Sequence, residues 1–344
     1  MLTIEHMSKE NITPAQQLII NQTATTLDRL SHIQNLAGES ALHFPAVKTF
    51  STSRRFSFLN APEYKILRKG TTVIGGEASS GKTTLALQLA IDMMLQSPDL
   101  SLLFYTLDES IERAKRKILS LLLANQDLLP KDKHGKRYNI AFDPLTQELQ
   151  DILKEPSQQA ILKRIHLSND AYFLDPTHNG FHQAIAHVGA YRTIIIVDYL
   201  QLLPKANHIH NLRENFNASL AYLKDQINKL NANPQNEMLL LLLSQVTRGA
   251  SQSTFNFRET SEIENIADSA IVLEYDSQPK SQPTGRGKEK VIALSRTLRL
   301  IKNKDGAKAT FQAIMASDIP FFSHIDIANQ RYTDSSSTFK VTSR

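Results

Sequence analysis

Eight consecutive residues, Gly76-Glu77-Ala78-Ser79-Ser80-Gly81-Lys82-Thr83, follow the order G-x-x-x-x-G-K-[ST], and each residue type in it suits a triphosphate. The two glycines let the backbone turn back so that successive N–H groups converge on phosphate oxygens. A helix starting behind them adds the positive end of its dipole. Lys82 brings a charge to the β- and γ-phosphates, and the Thr83 hydroxyl suits the octahedral oxygen shell of Mg²⁺. The expected nucleotide contacts are therefore Gly76, Glu77, Ala78, Ser79, Ser80, Gly81, Lys82, Thr83 and Thr84. A Gly/Ser turn with a chance lysine is the plain alternative. The flanks argue against it: Val73 and Ile74 precede the loop as a buried strand would, and Leu85, Leu87, Leu89 and Ala90 follow in a helical pattern.

Hydrolysis also needs acids and a neutral polar group at the ends of neighbouring strands. Thr193–Asp198, TIIIVD, is an apolar strand ending in a carboxylate, the arrangement in which an aspartate joins Thr83 in holding Mg²⁺. Capping the next helix is the other use for such a residue. Leu102–Ser110, LLFYTLDES, ends in Asp108 and Glu109, and either acid could orient and deprotonate an attacking water. Asp108 could equally cap a helix over Ser110–Leu123. Gln245, after Ser244 at the end of another apolar run, could touch the γ-phosphate or the water with its amide.

These residues must be positioned by strands buried on both faces. Thr72–Gly75, Leu102–Thr106, Thr193–Asp198 and Met238–Ser244 are apolar almost throughout, and Ala270–Tyr275 reads as a fifth strand; longer helical segments alternate with them. The expectation is an α/β, doubly wound fold with a mostly parallel central sheet. Leu298–Lys302 and Ala309–Ile314 bracket Lys304-Asp305-Gly306, a turn signal for a terminal β-hairpin. Gln278–Lys290 reads as a surface loop and Ser335–Arg344 as a frayed tail. Leu18, Ile19, Leu27, Leu30, Ile33 and Leu36 recur at helical spacing, so an amphipathic helix is expected over Pro14–Leu36, with a polar connector at Ser51–Arg55. The expected domains are a helical arm and linker over 1–55, the catalytic domain over 56–320, and a tail, partly disordered, over 321–344.

The 344 residues allow one large domain with an appendage, and the net charge of +5 mildly favours a polyanionic partner. With no cysteine there is no disulfide, thiolate metal site or cysteine nucleophile. No apolar stretch is long enough for a bilayer and MLTIEHMSKEN lacks the order of a secretory signal, so a cytoplasmic location without membrane contact is expected. His208-x-His210 has no third ligand nearby and is not read as a metal site.

The combination resembles the hexameric replicative helicases of the DnaB type, built on a RecA-like P-loop NTPase core. The resemblance is carried by the phosphate loop, FYTLDES at Phe104–Ser110, IIIVDYLQLL at Ile194–Leu203, LSQVTRG at Leu243–Gly249, FRETSEIENIADSAIVLEYD at Phe257–Asp276 and LIKNKDGAK at Leu300–Lys308. It implies ATP and Mg²⁺ as cofactors, Asp108 as the catalytic acid where the family has glutamate, Gln245 as a γ-phosphate sensor, and Arg258–Glu259 as the family's arginine–glutamate pair. It further implies that Lys302 and Lys304 match a lysine–x–arginine pair that a neighbouring subunit inserts against the γ-phosphate. Here the second member is lysine, which supplies charge but no planar fork. The Pro14–Leu36 helix matches the family's linker helix without the globular domain that precedes it; it would dock on an adjacent subunit or fold back on its own domain.

In ring motors of this fold, loops facing a central channel hold single-stranded DNA. Lys205 and Arg213 in one segment, and Arg248, Phe255 and Arg258 in another, are the expected contacts, cations for phosphates and an aromatic for base stacking. Phe257 could contribute or be core. The expected function is an ATP-dependent DNA helicase or translocase acting as a homo-oligomeric, hexameric ring in replication, with a loader or other replication proteins as partners. The alternative is a RecA-, RadA- or KaiC-like nucleotide switch in recombination, loading or regulation, without unwinding.

Overall fold

The computed structural model describes residues 49–53, 55–141, 143–176, 178, 180–200, 212–246, 262–275, 280–282, 291–316 and 318–327. The chain divides into two compact units, Met1–Val47 and Lys48–Arg344, and all described residues belong to the second. The expected Pro14–Leu36 helix lies outside them.

The strands are β1 (Gly70–Gly76), β2 (Leu100–Thr106), β3 (Ile165–Ser168), β4 (Arg192–Asp198), β5 (Glu237–Gln245), β6 (Ser269–Tyr275), β7 (Lys280–Gln282), β8 (Val291–Asn303), β9 (Ala309–Met315) and β10 (Phe322–Ile327). They form one sheet in the order β10-β9-β8-β6-β1-β5-β4-β2-β3, with β7 added on β8. From β3 to β6 every pairing is parallel, while β8, β9 and β10 continue as an antiparallel meander. Crossover helices feed the parallel part: α1 (Lys82–Gln96), α2 (Ile111–Asn125), α3 (Gln147–Lys154), α4 (Pro156–Leu162), α5 (Gly180–Val188), α6 (Leu212–Ala232) and α7 (Glu262–Ile266).

Side-chain alternation explains why the central strands are apolar at every position. Ile74, Phe104, Ile196 and Leu241 pack on one face with Leu85 of α1 and Ile118 of α2. Their neighbours Val73, Tyr105, Val197 and Leu242 pack on the other with Ile185 of α5 and Leu223 of α6. Complete removal of each such side chain from water contributes about 1.5–3 kcal/mol, so neither face tolerates a polar residue cheaply.

Several boundaries differ from expectation. The connector at Ser51–Arg55 is part of the catalytic unit: Phe50 is buried in the first core, the Ser53 N–H donates to Asp92, and Arg55 donates to Asn125. The sheet also runs past residue 320, because Phe321 and Phe322 are buried and β10 pairs with β9. The expected loop over Gln278–Lys290 contains the short strand β7. Asp108 does not cap α2; Ser110 does, its hydroxyl accepting from the Arg113 N–H at 3.3 Å.

Candidate nucleotide-binding site

The loop from Gly76 to Gly81 joins the C-terminal end of β1 to α1. Its glycines answer to steric limits. A Cβ on Gly76 would stand 2.6 Å from Ser80 Oγ and 2.7 Å from the Leu273 carbonyl, and Gly81 adopts φ +102° at the N-cap of α1. Ser79 also has positive φ, 60°. The loop is thus folded back sharply, closed by a Ser80 N–H to Glu77 carbonyl bond of 3.2 Å. Lys82 lies in this curl, buried, its Nζ donating to the carbonyls of Gly76 at 3.0 Å and Glu77 at 2.7 Å. Burial lowers its pKa, while Asp198, Asp108 and Glu77 act against that by charge. Thr84 is buried in the first turn of α1.

Asp198 ends β4 two strands away. Thr83 Oγ1 donates to its Oδ2 at 2.6 Å, so the hydroxyl and carboxylate expected in one Mg²⁺ shell are adjacent. Burial pushes the Asp198 carboxyl up, with the Thr83 hydrogen bond and the charges of Lys117 and Lys82 opposing and Glu109 adding to it. A buried carboxylate ringed by a hydroxyl and ammonium groups suits a divalent cation and phosphate oxygens, and the donor set fits Mg²⁺.

The two acids after β2 have different surroundings. Asp108 is exposed, acts electrostatically on Lys82, and makes no hydrogen bond through its carboxylate among the described residues. Glu109 is almost buried: Oε2 accepts from Lys117 at 2.7 Å and faces Arg113 at 3.4 Å, while Oε1 has no partner among the described residues. Gln245 is the β5 partner of Gly76 in register, which places it beside the start of the phosphate loop.

A family model described as the DnaB-like helicase C terminal domain matches residues 66–324, three-quarters of this chain. The chain belongs to that family. The DnaB-like family consists of ATP-hydrolysing helicases of DNA replication, and the loop, hydroxyl and acids above are the nucleotide-handling part of such a domain. Two solved structures share the RecA-like fold. One concerns a DnaB-like replicative helicase and its interactions with primase, with TM-score 0.58 and 18% identity over 90% of this chain and 73% of that one. The other is a separately solved ATPase domain, with TM-score 0.55 and 18% identity over 89% of this chain and 98% of that one. A search of curated proteins found no match.

In this DnaB-like domain the structure brings Gly76–Thr84, Asp108, Glu109, Asp198 and Gln245 to one end of the sheet. It does not bring Lys302 and Lys304 there. Asn303 pairs with Ser269, which pairs with Thr72 near the opposite end of β1, and Lys304 Nζ donates to Asp268 at 3.0 Å. Lys205, Arg248, Phe255 and Arg258 lie outside the described residues; Arg213 falls in the first turn of α6.

Three site residues escaped the sequence reading. Lys117 joins Glu109 and the charge balance of Asp198, and the spacing Glu109–Arg113–Lys117 on one helix face was the signal that could have shown it. Arg296 of β8 is buried, donates from Nε to the Ser80 carbonyl at 3.1 Å, and lies 4.0 Å over the Tyr275 ring, whose hydroxyl donates to the Ala78 carbonyl at 3.3 Å. This cation–π pair braces the phosphate loop from strands far along the chain. No local pattern announces it.

Proposed function

We propose that the domain is an ATP-driven motor that moves on single-stranded DNA as a ring of identical subunits, each nucleotide held by one subunit and completed by its neighbour. When bound, Mg²⁺ would neutralise charge between the β- and γ-phosphates, with Thr83 and Asp198 as its protein ligands. The loop N–H groups and Lys82 hold the phosphates. Asp108 orients the attacking water and accepts its proton as oxygen bonds to the γ-phosphorus, the bond to the bridging oxygen breaks, and ADP departs. Gln245 senses the γ-phosphate from the adjacent strand.

The observation that carries the shared site is the position of the Lys302–Lys304 turn. The phosphate loop and this turn lie at opposite ends of β1, about 20 Å apart at 3.3 Å per residue, too far for a lysine to span within one subunit. A positive charge there can serve a phosphate only on another copy. The DNA contacts Lys205, Arg213, Arg248, Phe255 and Arg258, and the association with a loader or other replication proteins, belong to the same proposal. Measuring ATP hydrolysis with and without single-stranded DNA, and fork unwinding, on one preparation tests it. DNA-stimulated turnover with unwinding is the expected result; turnover indifferent to DNA and no unwinding would leave a nucleotide switch as the better reading.

A further inference from the structure

Asp268, immediately before β6, gathers more polar partners than any role in folding alone requires. Its Oδ2 accepts from Lys224 Nζ of α6 at 2.6 Å and from the Thr71 N–H at 2.8 Å, and its Oδ1 accepts from Lys304 Nζ at 3.0 Å. The backbone repeats the connection: the Asp268 N–H donates to the Thr71 carbonyl and the Lys304 N–H to the Asp268 carbonyl. Gly70, at φ +128°, leaves the space the carboxylate fills, since a Cβ there would stand 2.6 Å from Oδ2. The carboxylate is therefore fixed by contacts that do not involve Lys304.

We propose that Asp268 is a positioning residue that holds the Lys304 ammonium on its own subunit until the nucleotide phosphate of a neighbouring subunit takes it over. This rests on the shared-site reading above and adds a competitor to it. The two ends of the ion pair differ in freedom. The Lys304 side chain is 45% exposed and Asp268 20%, and a pair this open to water is weak enough to exchange. Burial pushes the Asp268 carboxyl up, but the hydrogen bonds from Lys224, Thr71 and Lys304 outweigh it and hold it below the ordinary carboxylate range. Its single charge is already shared with Lys224, whereas a terminal phosphate concentrates more negative charge on three oxygens. Phosphate is the stronger acceptor.

Only the side chain has to move, because the turn's backbone is pinned elsewhere. Asn303 Nδ2 donates to the Tyr64 carbonyl at 2.7 Å, the Ala307 N–H to the Glu63 carbonyl at 2.8 Å, and Arg68 pairs with Asp305 at 2.6 Å. Gly306 packs so closely on this segment that a Cβ would lie 2.5 Å from the Glu63 carbonyl. The exchange is thus a swing of the Lys304 side chain from a rigid base.

The test is a mutant cycle on the full assembled chain, reading DNA-free ATP turnover, with thermal denaturation alongside. Lys304→Ala should lower turnover at least tenfold. Asp268→Asn, which keeps an oxygen for the Thr71 N–H and removes the charge, should raise it by about 2- to 5-fold, the factor corresponding to a partly exposed ion pair. Lys224→Met, which leaves Asp268 to Lys304 alone, should lower it, and this opposite sign serves where Asp268→Asn fails to fold. Both effects should vanish in a Lys304→Ala background. Should Lys304→Ala leave turnover unchanged, the shared-site reading fails and the proposal with it. Should Lys304→Ala impair turnover while the Asp268 and Lys224 substitutions have no effect, or the same effect with and without Lys304, the shared site stands and Asp268 is only structural.

Discussion

At the scale of single residues, the phosphate loop gives the sharpest expectations. Lys82→Ala should reduce ATP turnover by about 10²- to 10³-fold, because a charge aimed at developing negative charge is lost. Since Lys82 also ties the Gly76 and Glu77 carbonyls together, a small loss of melting temperature should accompany it; phosphate release and circular dichroism measure the two. Asp198→Asn should raise the Mg²⁺ concentration needed for nucleotide binding, whereas Asp108→Asn should bind ATP normally and stall at hydrolysis, which filter binding and single-turnover assays separate. Trapping of ATP by Glu109→Gln instead would move the catalytic acid by one residue, to a side chain that the structure finds nearly buried against Lys117. The loop and acids were legible in sequence because their chemistry is local: contiguous residues on one strand–loop–helix turn. Arg296 and Tyr275 were not, since what joins them to Ser80 and Ala78 is a strand pairing formed from about 200 residues further along the chain.

At the scale of elements, the central strands were readable from their unbroken apolar runs and the edges were not. Leu241 lies on β5, buried at the centre of the sheet. Leu241→Ala should cost about 2–5 kcal/mol in urea denaturation, because packed neighbours on both sides cannot close the cavity. The short edge strand β3 is only half buried, and β10 follows a turn at the end of the described chain; neither has a periodicity that outweighs its brevity. Between them, Asp318 fastens the β9–β10 connection to the segment after α2. It accepts from the Arg137 backbone N–H at 2.9 Å and from its guanidinium at 2.9 and 2.7 Å. Burial alone would raise the Asp318 carboxyl, but the Arg137 hydrogen bonds bring it down to about 2. A carboxyl lower in the folded than in the unfolded chain contributes stability above its unfolded value and loses it as pH falls through the folded one. Stability should therefore decline from about pH 4 towards pH 2, and Asp318→Asn should remove that part of the decline in denaturation midpoints recorded against pH.

At the scale of the whole molecule, the sharing of sites between copies is the property to test. A Lys82→Ala chain and a Lys302→Ala/Lys304→Ala chain should each hydrolyse ATP poorly alone. Mixed oligomers should recover part of the turnover, because some interfaces pair an intact phosphate loop with an intact turn. Verified mixed rings without recovery would exclude a shared site.

What the amino-acid order determined by itself is the chemistry within reach of one short segment: a phosphate loop, a strand-ending aspartate, two acids before a helix, and an apolar code for strands covered on both faces. Those features depend on neighbours a few residues apart, where spacing and geometry are the same thing. The tertiary structure decided which distant residues meet. Only the register of β1, β6 and β8 sends Arg296 to the phosphate loop and Lys304 to Asp268 at the other end of the sheet. A lysine on a turn reads alike in sequence whichever end of a strand it occupies, and the parallel and antiparallel pairings that choose the end are set by the packing of two cores at once.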